Sequence, residues 1–169
     1  MKWHRRGNEL YLMLCLSPPM PSEIQKLVNR INTKYWWHVT PADPLAYQKR
    51  GKFFASTYSE AEFYGRPNNE PEKVCIRAPL VGDSNTVEKR LLGKVEGFDG
   101  MSISRRLALD AKMRKIALRK GYDCIVILSH GGYRRFRGEG KMPRSIELNV
   151  IDLGCLKTSA NPNGIVRST

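Results

Sequence analysis

The sequence predicts an α+β fold in a single domain spanning residues 1–169. Three observations carry this. Apolar runs of strand length outnumber helical patterns, helices interrupt the strands irregularly rather than in alternation, and no internal repeat or composition break divides the chain. A length of 169 residues with 41% hydrophobic content is enough to bury a core without metals or disulfides.

Residues 10–16 are an apolar run closed by Ser17-Pro18-Pro19, which predicts a buried strand. Pro21-Ser22-Glu23 then opens a helix through about Ile31, because Ile24, Leu27, Val28 and Ile31 recur at i, i+3, i+4 and i+7. Residues 35–40 predict a strand ended by Pro41. Residues 41–51 read as loop or short helix, 53–56 as a strand, and 59–65 as a short helix that Gly65 stops. The polar stretch 66–72 predicts a surface loop. Strand character returns at 74–81, with Val74, Ile76, Ala78 and Leu80 alternating onto one face. The segment 82–100 is polar and irregular, with a helical turn expected around 88–92. Residues 104–120 carry the strongest helical pattern; Leu107, Ala111, Ala117 and Leu118 supply its apolar face and Gly121 its stop. A buried strand is expected at 124–128, a Gly/Arg-rich loop at 129–145 and a strand at 146–153. The tail 156–169 is polar and expected to fray.

Lys and Arg exceed Asp and Glu to give a net charge of +13, a field that attracts nucleic acid, an acidic protein face or a pyrophosphate ligand. Cys15, Cys75, Cys124 and Cys155 are far apart in apolar runs, with no Cys-x-x-Cys or Cys/His spacing. They read as core thiols in a reducing compartment, and no metal is expected. The start is basic, but the apolar run after Glu9 is short and Ser17-Pro18-Pro19 follows, so an export leader is not expected, and no stretch reaches the ~20 apolar residues that span a bilayer. A cytoplasmic protein without a membrane partner is expected.

The candidate site rests on a His, a Tyr and a Glu. His38 follows the aromatic run Tyr35-Trp36-Trp37, Phe53-Phe54-Ala55 opens the next strand, Tyr64 lies on the short helix, and Glu147 heads the late strand. Between them come a helix, Lys120-Gly121-Tyr122-Asp123, a strand and a loop. In this order the chain resembles the His-Tyr-Glu class of the ADP-ribosyltransferase superfamily over residues 35–153. Small members of that superfamily include bacterial and phage effectors. The resemblance implies a split, mainly antiparallel β-sheet with flanking helices around an NAD cleft, to which residues 1–34 add an N-terminal strand and helix.

The resemblance also implies the roles. Cleavage of the nicotinamide–ribose bond develops positive charge at the ribose, which a carboxylate stabilises; by resemblance this is Glu147, the catalytic residue. NAD, as substrate, would be held by His38 at a ribose hydroxyl, by the main chain at Val39 and by Thr40. Tyr64 would stack on the nicotinamide and Phe53 would form a second wall. The segment before Glu147, with Arg134, Arg135 and Arg137, would meet the acceptor. Its charge suits an acidic-surfaced protein or a nucleic acid. The activity implied is mono-ADP-ribosyl transfer with release of nicotinamide.

Two departures from the family pattern stand out. Val39 occupies a position that is usually Gly, which narrows the pocket, and Ala61 stands where a serine often contacts the carboxamide. Each residue also has a plainer reading. His38 suits a satisfied core histidine, Tyr64 an anchor for its helix, Glu147 the polar side of a half-exposed strand, and the arginines a solvated loop. A non-catalytic nucleic-acid-binding domain is the alternative, since the charge with three Trp and seven Tyr would suffice. A two-histidine phosphoesterase is a lesser one: His38-Val39-Thr40 gives one His-x-Thr motif, but the later His130 is followed by Gly131 and Gly132.

Overall fold

The computed structural model describes residues 22–97 and 100–156. The expected strand at 10–16 and most of the tail 156–169 lie outside the described residues. Helix α1 (Ser22–Thr33) is followed by α2 (Ala46–Arg50), β1 (Lys52–Ala55) and α3 (Tyr58–Glu62). Then come β2 (Pro79–Gly82), α4 (Ser84–Leu92), α5 (Ile103–Arg119), β3 (Cys124–Ile127), α6 (His130–Glu139) and β4 (Glu147–Val150). A 3₁₀ turn, Leu153–Cys155, closes the described chain.

The architecture is α+β: helices flank one four-stranded sheet of order β1-β4-β3-β2. β1–β4 and β4–β3 pair antiparallel, and β2–β3 pair parallel. The parallel pair needs a long crossover, which α4 and α5 supply. Helices outnumber strands among the described residues, against the sequence expectation. Strand propensity at 35–40 and 74–78 is spent on the isolated bridges Trp36↔Glu72, Trp37↔Ala55 and Val74↔Leu156. Among the described residues the expected second part of a split sheet is present only as these bridges.

The sheet buries both faces. Leu27, Val28 and Ile31 of α1 and Phe136 of α6 cover Phe54, Val81, Val126, Leu148 and Val150. Val87 and Leu91 of α4 and Leu109, Met113 and Ala117 of α5 cover Leu80 and Ile125. Two expected faces are therefore corrected. Val74 and Ile76 join the first core and Leu80 the second, so the stretch 74–81 does not present one continuous face. On α5 the buried stripe is Leu109-Met113-Ala117, whereas Leu107 is 39% exposed.

The third correction concerns 129–145, which holds helix α6 instead of a loop. Ser129 caps it, its Oγ accepting from Gly132 N–H at 3.1 Å. Phe136 is buried and Tyr133 packs beside it, one apolar face at i, i+3. The expected stop at Gly121 is met. Gly121 N–H donates to Leu118 and Tyr122 N–H to Ala117, which completes the C-terminal cap of α5. The Asp123 carboxylate then accepts from the N–H groups of Arg77 and Ala78 at 2.6 and 3.0 Å, fastening the chain entering β2.

Candidate functional site

Side chains on a strand alternate, so cross-strand partners share a face. The register Phe53↔Asn149 and Ala55↔Glu147 puts these four side chains on one face of the sheet, the face covered further along by α5. Beside them lies a cleft of about 450 Å³, within the range of small-molecule sites. Its walls include His38, Val39, Thr40, Phe53, Tyr64 and Glu147, so the structure brings every expected NAD-contacting residue and the expected carboxylate to one cavity. Arg134, Arg135 and Arg137 do not line it; they sit exposed on α6.

Tyr64 and Glu147, 83 positions apart, meet directly: the Tyr64 hydroxyl donates to Glu147 Oε1 at 2.8 Å. Burial pushes the Tyr64 phenol up to about 12, and the Glu147 charge adds to it. Tyr64 therefore stays a neutral donor to the carboxylate at neutral pH. The capping box at the start of α3 fixes where the tyrosine sits, Thr57 Oγ1 accepting from Glu60 N–H and Glu60 Oε2 from Thr57 N–H. Ser56 links the two halves. Its hydroxyl donates to Glu60 Oε2 at 2.6 Å and accepts from Ile146 N–H at 3.3 Å, one residue before Glu147.

His38 is buried, and both ring nitrogens are engaged. The Phe53 carbonyl can only accept, so Nδ1–H donates to it at 2.9 Å. Nε2 then accepts from the Tyr47 hydroxyl at 2.5 Å. Burial lowers the imidazole below its ordinary range, against the opposing Phe53 bond, which agrees with a neutral ring. The nitrogen expected to meet a ribose hydroxyl is thus occupied by Tyr47, and a sugar would meet that phenol oxygen or displace it. Burial raises the Tyr47 phenol, with the Thr40 hydroxyl acting in the opposite sense.

Val39 is accommodated locally. An added Cβ at Gly65, whose φ is +138°, would lie 3.1 Å from Val39 Cγ1, so the glycine makes room for the valine. Among the described residues nothing hydrogen-bonds the N–H or C=O of Val39, which leaves that backbone able to hold a carboxamide. Gly51 plays a similar part at the cleft floor. Its φ is +87° and an added Cβ would lie 2.2 Å from Asn149 Oδ1, a position only glycine tolerates.

Sequence reasoning missed four further residues that line the cleft, Arg50, Arg106, Leu107 and Asp110. Burial raises the Asp110 carboxyl to about 6; Arg106 and Arg50 oppose the rise, and the Glu147 charge adds to it. The available signal was the i, i+4 pair Arg106–Asp110 beside exposed Leu107, a polar stripe on an otherwise amphipathic helix. His130 belongs elsewhere: its Nδ1 lies 2.6 Å from Asp83 Oδ2, outside the cleft, so among the described residues no second histidine joins His38. Among the described residues no group of three or more His, Cys, Asp or Glu could hold a metal ion. Cys75, Cys124 and Cys155 are free, and no described helix is long and apolar enough to cross a membrane. No family model, curated protein or solved structure matches the chain.

Proposed function

We propose that the protein is an NAD-dependent mono-ADP-ribosyltransferase that releases nicotinamide and passes ADP-ribose to an acidic-surfaced protein or a nucleic acid. The observation that carries this reading is the Tyr64–Glu147 hydrogen bond on a cleft whose walls also hold His38 and Phe53. The chemistry of the lining suits NAD as substrate. Glu147 offers a fixed negative charge for the ribose, Tyr64 and Phe53 offer aromatic surface for nicotinamide, and the Val39 backbone offers carboxamide contacts. Arg50 and Arg106 bring positive charge to the same cleft, which suits a pyrophosphate.

The chain's own work would be to bind and orient. Tyr64 orients Glu147 by a hydrogen bond to one of its oxygens, and Ser56 and Glu60 hold the backbone on either side of that pair. His38 acts through Tyr47, which presents a hydroxyl of fixed orientation. A reducing, cytoplasmic setting accords with the free thiols.

The test is nicotinamide release from NAD by the purified protein, followed by labelled NAD in lysate with and without nuclease. Wild type should release nicotinamide and Glu147→Gln should not. No NAD binding by calorimetry would leave the alternative, a non-catalytic nucleic-acid-binding domain, which the charge of +13 favours.

A further inference from the structure

Glu147 and Tyr64 stand between two cavities. Beside them, where Glu60 and Ser145 form the wall, lies a second groove of about 250 Å³, and Phe63 borders both cavities. Phe63 is 87% exposed and meets Tyr64 edge-on, with ring centroids 5.3 Å apart at 86°. Its face is therefore open to a ligand. Burial alone would raise the Glu60 carboxyl, but hydrogen bonds from Ser145, Ser56 and Thr57 outweigh it and hold the group below the usual carboxylate range. The groove thus offers an aromatic platform beside an ionised carboxylate and a hydroxyl.

Such a site fits a flat ligand with hydrogen-bond donors along one edge. A nucleobase and an arginine guanidinium both meet that description, and charge separates them. Arg144 directly precedes Ser145, and Arg66 lies two residues beyond Tyr64; both are exposed. Neither has an ion-pair partner among the described residues. These flanking cations, on a chain of net charge +13, repel a guanidinium and attract a phosphate backbone.

We infer that the groove binds one unpaired nucleobase of single-stranded nucleic acid, stacked on Phe63 with an exocyclic amino group donating to Glu60. The base then lies across Glu147 from the NAD cleft. Its role as the acceptor subsite rests on the transferase reading; the binding itself does not.

Fluorescence anisotropy with labelled oligo-dC and oligo-dT of equal length, in the absence of NAD, tests this. Wild type should prefer oligo-dC, because cytosine presents an amino group and thymine does not. Phe63→Ala, a change at an exposed position, should weaken binding of both oligomers roughly ten-fold, and Phe63→Trp should restore it. Glu60→Gln should erase the preference while leaving stacking. Unchanged oligonucleotide affinity in Phe63→Ala overturns the inference. So does an arginine-rich peptide that binds wild type more tightly than oligo-dC and is lost in Phe63→Ala, since that assigns the groove to a protein side chain. Calorimetry with NAD on the same samples keeps the two readings apart. Absence of NAD binding beside Phe63-dependent oligonucleotide binding removes the transferase reading alone.

Discussion

At the scale of single residues, Glu147 carries the sharpest expectation. Glu147→Gln keeps the shape and a hydrogen-bond acceptor for Tyr64 but removes the negative charge. It should cut nicotinamide release by roughly 100-fold or more, a loss of about 3 kcal/mol in barrier terms. Calorimetric NAD affinity should change little, and equal turnover in the two proteins would place the chemistry elsewhere. Tyr64→Phe keeps the ring and frees Glu147 Oε1, so it should lower turnover while sparing NAD affinity, whereas Tyr64→Ala should weaken binding. Asp110 makes a prediction about stability. Its folded carboxyl sits near 6, above the ordinary value, so the folded state holds the proton more tightly than the unfolded chain. Its share of stability is therefore fully present at low pH and is lost as pH rises through about 6. Asp110→Asn should raise the melting temperature at pH 7.5 by a few degrees, on the order of 1 kcal/mol, with the difference vanishing near pH 4. An equal gain at both pH values would mean that packing, not charge, is responsible.

At the scale of elements, legibility followed the strength of local signals. The helix α1 was readable because its apolar residues fall at helical spacing, and the order strand end, short helix, late strand was enough to bring His38, Tyr64 and Glu147 together. Helix α6 was not readable as a helix. Gly131, Gly132 and Gly138 with the arginines look like a loop, and tertiary burial of Phe136 overrides that propensity. The face of α5 was misread because Leu107 is apolar yet lines the cleft and Ala111 is not part of the buried stripe, which Met113 completes. Arg50 escaped notice because nothing local distinguishes a cleft-lining charge from a solvated one, and the Arg106–Asp110 pair because i, i+4 charge pairs are equally common on solvated helix faces. Phe136→Ala should therefore destabilise the protein by about 3–5 kcal/mol, measured by urea unfolding. Replacing exposed Arg134, Arg135 and Arg137 together by Ala should leave stability within about 0.5 kcal/mol. That triple variant should still hydrolyse NAD but transfer less to the acceptor, most visibly at low salt; equal loss of both would place those arginines on NAD.

At the scale of the whole molecule, the charge of +13 and the paired cavities point the same way. If a polyanion approaches this surface, its affinity should fall steeply between 50 and 200 mM salt, on the order of ten-fold or more for several phosphate contacts. A salt-independent affinity would argue against backbone contacts. The sheet order adds a consequence for biogenesis. β1 pairs along its length with β4, Lys52 opposite Val150, so the two strands that frame the cleft come from distant parts of the chain. During synthesis β1 leaves the ribosome long before its partner exists, and closing that loop is entropically slow. A nascent chain arrested before residue 147 would lack the pairing that shapes the cleft as well as Glu147 itself. Catalytic competence would thus arrive abruptly, with no active fragment preceding the synthesis of β4.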